Sequence, residues 1–279
     1  MSEGELIAAG LRFPEGPVWA DGGLYFTEIA AGRVSRWTPE RGVERIADTG
    51  GGPNGATLGA DGALYVTQNG GWARQPENRV AAGIQRVASD GNVSVVATGI
   101  SGLKLDAPND LAFGPDGRLY FTDPRGEPDA STNRAPGRLF ACDPTRGTGE
   151  LLLETGPTYP NGIAFSADGV LYWSESFTRR VMRIGAKGAQ LVIELPERHH
   201  PDGFCFGADG RLYVASTYAH CVSVIENARI VERYLCGDGM VTNCCFGGTD
   251  LYVTESRRGT LWRFRVGSAG LPLHAGKFR

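Results

Sequence analysis

Histidine and methionine are scarce in this chain, at 4 and 3 of its 279 residues, and its 6 cysteines show no CxxC spacing. A zinc cluster needs ligands grouped at short spacing, so none is expected, and Cys142, Cys205, Cys221, Cys236, Cys244 and Cys245 read as core thiols. No run of Lys or Arg occurs, and a formal charge of −3 provides no basic face for nucleic acid or an anionic membrane. No apolar stretch reaches membrane-spanning length. The N-terminal MSEGELIAAG has acids and glycines where a signal peptide would carry a basic start and an apolar run, which makes the cytoplasm the expected location. There is no G-x-S-x-G elbow and no visible Ser-His-Asp arrangement, so a serine hydrolase is not expected. The glycine-rich GGGP at 50–53 precedes no helix and is not a phosphate cradle.

Turn formers, by contrast, are plentiful, with 41 Gly and 16 Pro. They punctuate a phrase that recurs six times: PEGPVWADGGLYFTE (14–28), PNGATLGADGALYVTQ (53–68), PNDLAFGPDGRLYFTD (108–123), PNGIAFSADGVLYWSE (160–175), PDGFCFGADGRLYVAS (201–216) and TNCCFGGTDLYVTE (242–255). The Leu-Tyr pairs begin at 24, 64, 119, 171, 212 and 251, a period that suits propeller blades. Most units hold two short apolar runs joined by Asp-Gly, which supplies the positive φ of a tight hairpin. A second strand pair follows, as in GIQRVASDG and NVSVVATGI. Four strands in each of six units predict an all-β, six-bladed β-propeller of antiparallel blades, one domain over 1–279. The last unit offers only three strands. The N-terminal ELIAAGL is expected to supply the fourth and close the ring, leaving no open sheet edge.

In a propeller the first strand of each blade lines the central channel. The repeat therefore delivers Glu15, Asn54, Asn109, Asn161, Asp202 and Asn243 to one ring at the channel mouth. All six are carboxylates or carboxamides. A hard cation on the axis explains this, because Ca²⁺, Mg²⁺ and Mn²⁺ take oxygen ligands and two acids neutralise a 2+ charge. A plainer reading is that Asn and Asp before Gly make turns at the blade entrance. That reading explains Glu15 poorly, and it leaves two acids facing each other across a narrow channel.

If the first strand leaves the mouth, the second returns to it, so the loops from second to third strand overhang the same face. They are long in blades two and three, at 69–83 and 124–137, where Trp72, Arg74 and Arg125 are candidate substrate contacts, with surface insertion as the alternative. Second-strand ends add Glu28, Gln68, Asp123 and Glu175, read as solvated ends or partners of the site, with Asp123 carried forward as a substrate contact. His199 and His200 precede Asp202 in HHPDG, and His200 is a candidate substrate contact and reserve base.

FPEGPVW, PND, PNG, PDG and the late NCCFGG resemble the family of senescence marker protein (regucalcin), gluconolactonase and luciferin-regenerating enzyme, over nearly the whole chain. The resemblance implies a six-bladed propeller that hydrolyses a lactone or related ester with one divalent metal, Ca²⁺ first, with Zn²⁺, Mg²⁺, Mn²⁺ or Fe²⁺ as alternatives. It implies Glu15, Asn161 and Asp202 as ligands, with Asn109 bound directly, through water or through substrate. Asn54 is then a candidate substrate contact, and Asp202 the group that activates water or attacks the carbonyl. Sugar-lactone members often carry Arg two residues before the PND-type Asn, where this chain has Ala107, so polyhydroxylated sugars are a less secure substrate than the hydrolase class. The rival readings are a non-catalytic calcium-binding or protein-binding propeller and a phosphotriesterase on the same site.

Overall fold

The computed structural model describes residues 4–71, 79–126 and 128–276. Each Leu-Tyr phrase forms the second strand of a four-stranded antiparallel sheet, giving six blades. The innermost strands are Pro14–Ala20, Pro53–Leu58, Leu111–Phe113, Pro160–Phe165, Pro201–Phe206 and Val241–Gly247. Next to them lie Gly23–Glu28, Leu64–Gln68, Leu119–Asp123, Leu171–Glu175, Leu212–Ser216 and Asp250–Glu255. Among the described residues there is no α-helix, and no helix long and apolar enough to cross a membrane. The sixth blade closes as the sequence predicts. Glu5–Ala8 pairs antiparallel with Thr260–Arg265, setting Glu5 opposite Arg263 and Leu6 opposite Trp262.

The period-2 alternation of the second strand explains how the blades stack. In blade three, Leu119 and Phe121 pack toward blade two with Tyr65, Ile84 and Phe113. Tyr120, one residue out of phase, packs toward blade four with Ile163 and Trp173. The same division recurs around the ring, so the core is six apolar clusters, one at each interface between blades. The cluster joining blades one and six also takes in Ile7, Ala8 and Leu11. The terminal strand is thus held by packing as well as by pairing.

Two features lay outside the sequence reading. A small hairpin, Gly99–Ile100 with Leu103–Lys104, precedes blade three and shares with the 69–83 loop the lengthening of that interval. The other is the course of the chain after the last strand. Leu271 N–H donates to Phe206 O at 2.9 Å on blade five, while Ala60 N–H on blade two donates to Ala275 O. Blades five and two stand three places apart in a ring of six, so residues 271–275 run across the axis. Five extended residues reach about 16 Å, enough for that crossing. The segment closes the channel at the end that carries the Asp-Gly turns.

Candidate metal centre

Glu15, Asn54, Asn109, Asn161, Asp202 and Asn243 occupy one level of the channel, and each is 9% exposed or less. In five blades the pairing of first and second strand slips at this level, between Glu15 and Val18, Pro53 and Ala56, Pro160 and Ile163, Pro201 and Phe204, and Val241 and Asn243. Such bulges re-aim side chains beside functional sites. In blade three, Asn109 and Asp110 precede the short strand and are tied to Thr122 by backbone hydrogen bonds of 2.9 and 3.0 Å.

The glycines after the ring residues do not make turns. Gly16 alone among them has a positive φ, 48°. They are small because the inner strands crowd together near the axis. A Cβ on Gly162 would lie 2.6 Å from Asp202 O, and one on Gly203 would lie 2.0 Å from the Asn243 side chain. Blade three breaks this rule, with Asp110 where blades one, two, four and five have glycine. Asp110 is buried, and its Oδ2 receives a long 3.4 Å hydrogen bond from Asn243 Nδ2. It is the site residue that the sequence reading missed, and PND in place of P-x-G was its signal.

Three carboxylates therefore converge on the axis. Burial pushes Glu15 up to about 8, and the nearby Asp110 charge adds to the rise. Burial pushes Asp110 up to about 7. Asp202 is raised well above the ordinary carboxylate range by burial, then by Glu15 and Asp110. Blades one and five flank blade six, so Glu15 and Asp202 meet across that blade rather than from opposite walls. Among the described residues no ion pair joins any of the three to Arg, Lys or His. Nor do three His, Cys, Asp or Glu side chains stand grouped as a metal cluster among the described residues; any donor set here mixes carboxylates with carboxamides. Buried, unpaired acids beside amide oxygens fit a hard divalent cation.

The hydroxyls of the second strands hold this ring in place. Thr27 Oγ1 donates to Asn54 O at 2.6 Å, Thr67 to Asn109 O, Thr122 to Asn161 O at 2.6 Å, and Ser174 to Asp202 O at 2.7 Å. Each bond runs from one blade to the next, because alternation turns this hydroxyl toward the following blade. Blade five has Ala215 at this position and lacks the bond. In blade six Thr254 bonds Asn243 O of its own blade, and Ser256 donates to Pro14 O of blade one.

The second-strand ends are not solvated: Glu28, Gln68, Asp123 and Glu175 are all buried. Three of them accept hydrogen bonds from the loop that leads into their own first strand. Glu28 accepts from Arg12 N–H, Gln68 from Gly52 N–H and Asp123 from Ala107 N–H. Asp123 also pairs with buried Arg138, so its carboxylate is engaged in fixing the loop that carries Asn109. Burial alone would raise Glu28, but hydrogen bonds from Arg33, Ser35 and the Arg12 amide hold it below the usual range.

At the mouth, His200 Nδ1 lies 2.9 Å from Ser176 O. A carbonyl only accepts, so Nδ1 carries the proton and Nε2 the lone pair of the neutral ring. The Ser176 hydroxyl takes a hydrogen bond from Asn161 Nδ2 and donates to Pro201 O, tying His200 to the same level as Asn161. His199 instead bonds Ser223, and His220 bonds the Gly239 carbonyl. Arg125 is half-buried in the left-handed region with its Nε unpartnered. Trp72 and Arg74 lie outside the described residues.

The channel and its ring are those of a six-bladed β-propeller with an oxygen-lined axial site. The chain belongs to the SMP-30/gluconolactonase/LRE-like family, whose pattern matches residues 13–257. It is 33% identical over 195 residues to a gluconolactonase of Zymomonas mobilis, covering 62% of this chain and about half, 51%, of that protein. It is 30% identical over 274 residues to a pentonolactonase of Haloferax volcanii, covering 92% of this chain and 86% of the other. Among solved structures, the calcium-binding regucalcin of Agrobacterium tumefaciens superposes with a TM-score of 0.81 at 17% identity, over 99% of this chain and 98% of that one, a likeness of fold.

Proposed function

We propose that this protein is a divalent-metal-dependent hydrolase that opens a lactone or related ester. The observation that carries the reading is the convergence of Glu15, Asp110 and Asp202, buried and without a basic partner, among the ring carboxamides. The lactonase names of the two relatives support it. Glu15, Asn161 and Asp202, with Asn109, would hold the ion, Ca²⁺ first. Such an ion supplies Lewis-acid polarisation of a carbonyl oxygen.

The chain's own residues do the rest. Asp202 takes the proton of the attacking water, whose oxygen bonds to the carbonyl carbon. The acyl carbon–oxygen bond of the ring then breaks, and the alkoxide leaving group recovers a proton to give a hydroxy acid. His200, with its Nε2 lone pair, is the second candidate for taking the water's proton. The backbone bonds that the second-strand hydroxyls make to Asn54, Asn109, Asn161 and Asp202 keep these groups from drifting during the reaction. Ala107 N–H is bound to Asp123, and no arginine stands there to meet sugar hydroxyls. The proposal therefore covers lactones as a class, not one sugar.

The test is elemental analysis of the purified protein, followed by acid release from a panel of five- and six-membered lactones and simple esters. One ion per chain and turnover of at least one lactone are expected. Bound ion with no hydrolysis would move the reading to a calcium-binding propeller, and turnover of phosphotriesters alone would move it to that class.

A further inference from the structure

Below the carboxylate level the channel opens into a cavity of about 400 Å³. Its ceiling includes Asp110 and Asn243, its walls carry Trp19, Phe113, Phe165 and Phe206, and its floor is the axial segment 271–275. Protein interiors are packed at crystal density, with few voids larger than a water molecule. A space of this size falls in the range of small-molecule sites. Its aromatic walls provide water with few partners. Ala112 and Ala164 sit on innermost strands yet remain partly accessible, because they face this space.

The chemistry of the ceiling is specific. Asp110 Oδ1 accepts from its neighbour Leu111 N–H at 2.9 Å, Oδ2 receives the long contact from Asn243, and the Ile163 amide also reaches the carboxyl, which leaves part of its four-lone-pair capacity unused. Asp110 thus has acceptor capacity turned to an apolar chamber. We infer that the cavity is a second ligand site, distinct from the hydrolytic one above it, which takes a small neutral alcohol: an apolar body against the aromatic walls and one hydroxyl donating to Asp110. A cavity of about 150 Å³ is enough for benzene, so benzyl alcohol fits with room to spare. A carboxylate head at the ceiling would be buried beside Asp110 with neither Lys nor Arg among the lining residues to pair with it, and is disfavoured. A pure hydrocarbon adds no hydrogen bond to Asp110 and binds more weakly. Entry is from the turn end, where backbone hydrogen bonds to Phe206 and Ala60 hold the axial segment.

The experiment is calorimetric titration of the full-length protein with benzyl alcohol, toluene and benzoate, for wild type, Ala164→Leu and Ala112→Leu. Lactone turnover and bound ion are measured in parallel. The expected result is saturable one-to-one binding of benzyl alcohol, at least tenfold weaker binding of toluene and none of benzoate. Each leucine projects into the chamber beside its aromatic walls and should weaken benzyl alcohol several-fold, with ion stoichiometry and turnover unchanged. Absence of saturable alcohol binding to wild type would overturn the inference, as would benzoate binding as well as the alcohol, or undiminished binding in both variants. Should neither variant fold, the ranking of the three ligands on wild type decides. Because turnover is read separately, a failed cavity leaves the hydrolase reading standing, and the reverse holds too.

Discussion

The two ends of the channel are built by the same six strands and have opposite chemistry. At one end the first residues present carboxylates and carboxamides to the axis. Two to five residues further along, the same strands present Val18, Phe113, Phe165 and Phe206 to an apolar chamber closed by the axial segment. Six-fold repetition sets each level, so the change from charged to apolar occurs over about 10 Å of strand. Asp110 marks the border and touches both. A carboxylate level is thereby placed directly over an apolar one, and burial there disfavours the charged form of its acids.

The largest expected effect tests the charged end. Asp202→Asn and Glu15→Gln each remove one negative charge while keeping an oxygen that can ligate, so both should weaken metal affinity. Under saturating metal Glu15→Gln should regain an appreciable part of its turnover. Asp202→Asn should stay down by about 10²–10⁴, since an amide cannot accept the proton. A metal titration of lactone hydrolysis with bound ion counted independently reads this. Equal recovery would reduce Asp202 to a ligand and pass the base role to His200.

The two termini provide the next contrast, in stability. Deleting residues 1–10 removes Glu5–Ala8 and the contacts of Ile7 and Ala8 with the cluster between blades one and six. A loss of about 3 kcal/mol or more is expected, lowering Tm by ~6–12 °C. Deleting from residue 269 onward removes the floor of the apolar chamber but breaks no blade, so its Tm should fall by less. A Tm equal to wild type for the first truncation would mean that closure of the sixth blade adds nothing.

A third expectation is pH-dependent. Without metal, Glu15 and Asp110 keep their protons up to about 8 and about 7, while in the unfolded chain they ionise near their ordinary values of 4.5 and 3.8. Between those limits the folded state holds more protons, so these groups lower stability as pH rises. The metal-free protein should therefore have a lower Tm at pH 8 than at pH 5.5, and Glu15→Gln should flatten that slope. Metal binding displaces these protons, so affinity should rise with pH across the same window, with proton release seen in calorimetry. Affinity that does not change between pH 5.5 and 8 would count against the ring as the metal site.

How far these features could be read from sequence depends on whether they repeat. The blades and the ring residues recur in every unit, and recurrence exposed them; the closing strand showed through the one unit that falls a strand short. Asp110 was missed because it departs from the pattern, occupying a glycine slot. The glycines themselves were readable as small but not as crowded, since the crowding comes from neighbouring blades far away in sequence. Glu28, Gln68 and Asp123 look like polar strand ends, and only their hydrogen bonds to the loops before Pro14, Pro53 and Pro108 make them buried anchors. The axial segment has no repeat at all; its course is set by hydrogen bonds to blades five and two.

The smallest effect isolates how the ring is held. Thr122→Val keeps the shape and β-branching of the side chain and removes the hydroxyl that bonds Asn161 O at 2.6 Å. Thr122 also accepts from Asp110 N–H at 3.2 Å, so the same change loosens both neighbours of the axis. Both groups are buried, so the freed Asn161 carbonyl finds no water in exchange. A cost of about 1–3 kcal/mol follows from leaving a buried acceptor unbonded. If the hydroxyl only stabilised the blade interface, Tm would fall and metal affinity would stay. If it positions the ring, metal affinity should also weaken, by several-fold, under conditions where the variant is fully folded. Thr27→Val is the control, because its hydroxyl bonds Asn54 O, and Asn54 is not in the proposed ligand set. It should lose comparable stability and keep its affinity. Equal loss of affinity in both variants would show that the ring responds as one rigid level rather than residue by residue.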